Sequence, residues 1–314
     1  MATTSDYLTQ LQNDKQTLVN NLVEKGVEAS TNETFTSLVP KVLDIQSGGG
    51  DEELTASYLS SIDNTLGANV TKLPSGLTSI GKYAFYQCSN LALTSLPSSI
   101  TSIGDYAFYV CKNFKLTELP DSITTIEQYA FYQCANLKLT KLPDSITTIG
   151  QYAFYGCTYF LLASLPSGLT SIPMHCFHNC SNLALTSLPS GLTSIGTYAF
   201  SSCNKITISE IPSGVTAIAS YAFDNCQAIT ELTCLGDMRA INSNGFYNCK
   251  KLTKLVLPNV TTVPTLSTSN AFNNTPIASG TGYVYLPDDL VETAKSASNW
   301  SKYANQIKGV SELW

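Results

Sequence analysis

Leu, Ile, Phe, Ala and Cys recur through most of this chain at fixed positions of a 23-residue period, separated by Ser, Thr, Pro and Gly. The period is plain in Leu73–Ser95, LPSGLTSIGKYAFYQCSNLALTS, which is followed by LPSSITSIGDYAFYVC. Cysteines mark it most sharply: Cys88, Cys111, Cys134, Cys157, Cys180, Cys203, Cys226 and Cys249 lie 23 apart. Phenylalanines run three residues ahead, at Phe85, Phe108, Phe131, Phe154, Phe177, Phe200, Phe223 and Phe246. Eight matches in one register define a tandem array. Such arrays stack into solenoids, because one unit alone cannot bury its apolar face.

Within a coil, Leu91–Leu96 and its copies predict a strand closed by Pro97. Thr101–Ile103 predicts a second short strand or turn, and Tyr106–Cys111 a helical turn with Ala107, Phe108 and Cys111 inward. Strict alternation in the first strand would send Thr94, Thr117, Thr140 and Thr186 to the apolar side. Either those threonines face inward or the strand is bulged there. Stacked coils repeat at roughly 4.8 Å, so eight of them make a rod of about 40 Å before caps. The solenoid is expected over residues 54–281, its first coil (54–72) lacking the Phe and Cys.

Residues 1–46 predict an α-helical handle. Leu8, Leu11, Leu18 and Leu22 fit a heptad, and a second apolar run spans Phe35 to Ile45 with Pro40 inside it. The first stripe either packs on the second or joins copies of the chain through residues 5–25. Residues 47–53 form a glycine-rich joint. At the other end, Tyr283–Leu286 predicts a last strand. Asp288 then caps a helix through Ala294, and Trp300, Tyr303, Ala304 and Ile307 make a second stripe. Residues 282–314 are thus expected to be a helical cap.

Composition narrows the function. Charged residues are 13% and the net charge is −6, which disfavours nucleic acid and anionic membrane as partners. No apolar run is long enough to span a bilayer, so no membrane insertion is expected. The N-terminal stretch lacks the basic and apolar regions of a Sec signal. The cysteine ladder predicts buried, reduced thiols that fill space. Parallel Cβ vectors one strand spacing apart suit a disulfide poorly, leaving vicinal disulfides as the lesser alternative.

Candidate chemistry is sparse. Both histidines lie in PMHCFHNC, where His175, Cys176, His178 and Cys180 have the density of a zinc site. The register argues otherwise: the thiols fall on inward positions and the imidazoles on the outward tyrosine rows. No metal, cofactor or Cys-His catalytic pair is expected. Asp121 and Asp144 sit one coil apart, but a glycosidase pair needs an enclosing cleft. Two tyrosine rows are the candidate binding surface: Tyr83, Tyr106, Tyr129 and Tyr152, continued by Tyr198 and Tyr221; and Tyr86, Tyr109, Tyr132 and Tyr155, with Tyr247. They offer rigid area and hydroxyls to a protein or cell-surface glycan, or they simply pack up the stack. The rival surface is the polar row Ser95, Glu118, Lys141, Ser164 and Ser187 on the strand side.

The motif LPSGLTSIGxYAFxxCxNL, as in Leu73–Leu91, resembles the BspA-like, or Treponema pallidum type, leucine-rich repeats over about two-thirds of the chain. The resemblance implies a leucine-rich-repeat solenoid, right-handed, with strands along one side and short helical turns along the other. It also implies binding or adhesion rather than catalysis. The family strand Lxx[IL]x[IL]P is met by Leu252, Leu255, Leu257 and Pro258, whereas earlier coils read LxLxxLP. The stretches DKQTLV, KGVEAS and ETFTSLVPKV resemble the N-terminal segment of tail and minor structural proteins of phages of Gram-positive gut bacteria. YVYLPDDLVETAKSASNWSKYANQIK is similar to a C-terminal cap found after such repeats in gut-bacterial and phage proteins. These resemblances imply a virion tail protein if phage-encoded. Otherwise they imply a bacterial protein, cytoplasmic or brought to the surface by a non-Sec route.

Overall fold

The computed structural model describes Ser30, residues 72–73 and residues 75–313. The expected handle, glycine joint and first coil therefore lie outside the described residues, Ser30 and Lys72 excepted. From Leu73 onward the chain is a solenoid. One flank carries two-residue parallel strands in strict 23-residue register: Ile80 pairs with Ile103, Ile103 with Ile126, and Ile126 with Ile149. The same positions continue as Ile172 with Ile195 and as Ile218 with Ile241. Pro173 stands where Gly150 donates its N–H to the Ile126 carbonyl, 2.7 Å away. Proline has no N–H to offer Ile149, and the ladder breaks there.

The expected first strand is a strand only late in the array. Glu210–Ile211, Glu231–Cys234, Lys254–Val256, Tyr283–Leu286 and Ile307–Gly309 form one parallel sheet. In Glu231–Cys234 burial alternates, Leu232 and Cys234 inward. Earlier coils bury Leu91, Leu93 and Leu96, leaving Thr94 and Ser95 both exposed. Thr117, Thr140 and Thr186 are likewise exposed. The strand is thus bulged by one outward residue, which suspends the ladder. Single rungs persist, such as Lys138 N–H to Leu116 O at 3.1 Å.

The expected helical turn is not helical. Along Tyr106–Cys111 alternate N–H groups serve different coils. Ala107, Tyr109 and Cys111 donate three residues back, to Gly104, Tyr106 and Phe108. Tyr106, Phe108 and Val110 donate forward, to Gln128, Ala130 and Tyr132 of the next coil. Two left-handed residues per coil make this possible. One is the first tyrosine, as at Tyr106 (φ 56°); the other precedes the cysteine, as at Val110 (φ 59°). Gly156, Asn179, Asn225 and Asn248 occupy the second position elsewhere, the residue types that tolerate it best. Val110 is β-branched and poorly suited to it. Val110→Asn should therefore raise unfolding stability by roughly 1 kcal/mol. An unchanged or lower urea midpoint would refute this assignment of strain.

The core is a set of axial columns. Phe85 through Phe246 stack ring on ring at 5.2–5.7 Å. Phe272 continues the column at 5.8 Å, although its step from Phe246 is 26 residues. All ten cysteines are free and buried, so the disulfide alternative falls. Yet the ladder thiols are more than filler. Cys111 Sγ donates to the Phe85 carbonyl (2.9 Å), Cys134 to Phe108 (2.9 Å) and Cys157 to Phe131 (3.1 Å), each one coil back. The same Phe85 carbonyl accepts the Cys88 N–H at 3.1 Å, so the thiol uses its second lone pair. At the corners Ser99, Ser122 and Ser145 hydroxyls donate to the carbonyls of Leu77, Ile100 and Ile123 of the preceding coil.

The far end is mixed rather than helical. Asp288–Leu290 and Trp300–Gln306 are 3-10 turns, Val291–Ser296 is a short α-helix, and Ile307–Gly309 is a strand outside Tyr283–Leu286. The strand at Tyr283 is therefore not the last. Cap side chains satisfy carbonyls that a further coil would have taken: Trp300 Nε1 donates to Pro264 and Asn299 Nδ2 to Leu266, each at 2.7 Å. Tyr303 and Lys302 both donate to Ser269 O, at 2.6 and 2.8 Å.

Candidate functional site: two stacked aromatic columns

The forward-and-back hydrogen bonding of the turn aims its side chains alternately. Ala107, Phe108 and Cys111 point into the core, while Tyr106 and Tyr109 are left half-buried on the outside. Repeated at one coil spacing, the tyrosines become columns. The inner-numbered column runs Tyr83, Tyr106, Tyr129, Tyr152, His175, Tyr198 and Tyr221, with centroids 4.4–4.9 Å apart and rings within 21° of parallel. The second runs Tyr86, Tyr109, Tyr132, Tyr155 and His178 at 4.6–4.9 Å. The two meet side by side, with Tyr106 and Tyr109 centroids 5.5 Å apart. Beyond His178 the second column gives way to Ser201 and Asp224 before Tyr247.

Of the two sequence alternatives for the tyrosines, packing up the stack is what the ring geometry shows. Ring faces are spent on neighbouring rings; ring edges and hydroxyls are what the columns present. Partial desolvation, followed by repulsion from neighbouring phenols, holds Tyr106, Tyr109, Tyr129 and Tyr132 above the ordinary phenol range. The comb is a row of hydroxyl donors and acceptors edged with apolar carbon.

His175 and His178 face outward, while Cys176 and Cys180 are fully buried. The zinc quartet suggested by their spacing therefore does not converge. Among the described residues no group of three or more His, Cys, Asp or Glu is placed to hold a metal. Burial pushes the Cys88 thiol up to about 12 and raises Cys176 and Cys180 as well. Burial and these upward shifts make the ladder thiols poor nucleophiles in the fold.

On the strand side Ser95, Glu118, Lys141, Ser164 and Ser187 are all exposed, as expected. Ser95, Glu118, Lys141 and Asp121 edge a shallow groove of about 260 Å³ over Pro120. Asp121 and Asp144 are both exposed. Sequence reasoning missed two residues on the coil that follows Cys157: Tyr159 and Leu161 are 51% and 47% exposed. Tyr159 interrupts an asparagine row in which Asn113 and Asn136 donate to the side chains of Asn90 and Asn113. The signal was available, since Asn90, Asn113, Asn136 and Asn182 share that repeat position.

No helix among the described residues is long and apolar enough to cross a membrane. No curated protein matches the chain. Several solved structures are similar to it. A leucine rich cell surface protein from Faecalibacterium prausnitzii is 22% identical, over 74% of this chain and 80% of that one, with a TM-score of 0.43. The T. pallidum leucine rich repeat protein is 29% identical over 43% and 76%, with a TM-score of 0.34. The pneumococcal vaccine antigen PcpA is 19% identical over 74% and 77%, with a TM-score of 0.40. The family model for the BspA type leucine rich repeat region matches residues 63–184 and 149–279, with six copies of the repeat. With the 23-residue register, the Phe and Cys columns and that match over more than half its length, the chain belongs to the BspA-type leucine-rich repeat family.

Proposed function

We propose that this protein is a non-catalytic binding rod whose ligand is a protein on a cell surface, met by the edges of the two tyrosine columns. One observation carries the choice of protein over glycan. A sugar ring stacks on an open aromatic face, and here the faces are taken by neighbouring rings at 4.4–4.9 Å. A row of hydroxyls and ring edges instead suits a partner offering backbone and side-chain polar groups over an extended strip. Catalysis has no place in this reading, because the outward groups form columns rather than a converging constellation. A second reading concerns setting. The resemblance of Tyr7–Gln46 to phage tail proteins favours a tail-associated, receptor-binding rod anchored and joined to other copies through residues 1–46. Without the phage, the same rod is a bacterial protein-interaction module.

Whole-cell binding by flow cytometry tests the surface. Tyr109→Ser, Tyr132→Ser and Tyr155→Ser together should lower binding to gut bacteria at least tenfold, roughly 1.4 kcal/mol or more. Circular dichroism and native thiol protection would verify that the triple variant is folded. Unchanged binding in a folded variant would reject the aromatic comb and move the contact to the polar row.

A further inference from the structure

We propose that His175 and His178 form an open, two-nitrogen site for a borderline divalent cation such as zinc, nickel or copper. Their Nδ1 atoms lie 3.1 Å apart, with ring centroids 5.2 Å apart. Metal–nitrogen bonds of about 2.0–2.1 Å at a tetrahedral angle place two ligand nitrogens roughly 3.3–3.4 Å apart. Bridging therefore asks for a few tenths of an ångström of separation and a turn of each ring that brings both Nδ1 lone pairs to one point off the N–N line.

The rings are held for this. His175 is sandwiched between Tyr152 and Tyr198 at 4.5 and 4.6 Å, and His178 lies on Tyr155 at 4.8 Å. The backbone fixes their separation: His175 is left-handed (φ 55°), and the His178 N–H donates to the His175 carbonyl at 3.2 Å. Stacked neighbours restrict both rings, so little rotamer freedom is left to lose on binding. The neutral imidazole is the form that ligates metal.

Proton bookkeeping is simple. Without metal, one Nδ1 carries the hydrogen that it donates to the other. Metal takes both Nδ1 lone pairs, and that hydrogen moves to Nε2 of its own ring, with no net release. Cys176 and Cys180 face the core, so water completes the coordination. Imidazole nitrogen with water suits zinc, nickel or copper rather than calcium or magnesium.

The chain has only two histidines, which makes the test clean. The full-length protein would be titrated with copper(II) and followed by electron paramagnetic resonance. One copper per chain is expected, its spectrum split by two imidazole nitrogens. His175→Tyr and His178→Tyr restore the residue that other coils carry in each column, so both variants should fold. Each should weaken binding at least tenfold and leave at most one nitrogen coupling. Absence of stoichiometric binding, or wild-type affinity in either variant, would overturn the site. It stands apart from the proposed protein contact, since it is read with the metal alone.

Discussion

In native buffer at pH 8, nine of the ten cysteines should stay silent to a bulky disulfide reagent for as long as the fold persists. Cys88, on the first described coil, is 9% exposed and should react first; the remainder are at 0%. Two effects multiply. Burial excludes the reagent, and it raises the thiols, with Cys88, Cys234 and Cys249 each pushed up to about 12. Against an ordinary cysteine near 8.5, that shift alone cuts the reactive thiolate roughly a thousandfold. The thiols are also donors, from Cys111 Sγ to Phe85 O through Cys249 Sγ to Phe223 O at 3.0 Å. In guanidinium all ten should react within minutes. Prompt native labelling of two or more cysteines at wild-type stability would contradict the axial stacking of coils.

Phe154→Ala should cost about 3–5 kcal/mol, the usual range for emptying a buried phenylalanine site. Phe154 is fully buried and stacks on Phe131 and Phe177 at 5.4 and 5.6 Å and on Phe160 at 4.7 Å. Backbone hydrogen bonds hold the ring's own position, Phe154 N–H to Cys176 O at 3.0 Å among them. The turn cannot readily collapse into the space. In a solenoid each unit is stabilised by its neighbours, so a mid-array defect also uncouples the two halves. Urea unfolding should show a lower midpoint and a broadened or split transition. A single transition displaced by less than 1 kcal/mol would mean that the phenylalanine column does not carry the coupling between coils. Asp144→Ala, on an exposed corner, is the control and should stay within about 0.5 kcal/mol of wild type.

Most of the fold was legible because the period was. Eight cysteines and eight phenylalanines in one register demand stacked coils, and the inward set Ala107, Phe108 and Cys111 follows from either a helical or a non-helical turn. The turn itself was misread as helical because Tyr-Ala-Phe-Tyr carries no breaker. What betrays it lies in sibling coils, at Gly156, Asn179, Asn225, Asn248 and Asn244, where glycine and asparagine mark left-handed backbone. The ambiguous threonines resolved only with coordinates, because LxLxxLP fits a bulged strand or a slipped register equally well. The thiol donors were hidden for another reason: which way a carbonyl points is not a property of side-chain order. For the candidate site, the tyrosine columns were named correctly as rows. Whether their faces or edges met solvent depended on a ring tilt that no spacing encodes.

The direction of the backbone hydrogen bonds carries an electrostatic consequence. Along the strand flank, donors such as Thr124 N–H and Glu127 N–H reach back toward the amino end, to Thr101 O and Ile103 O. Along the aromatic flank, Phe108 N–H and Val110 N–H reach the opposite way. An α-helix aligns all its peptides and gathers roughly half an elementary charge at each tip. Here donors run both ways along the array, so their moments oppose one another instead of adding. Adding coils therefore lengthens the described array without gathering charge as a helix of equal length would.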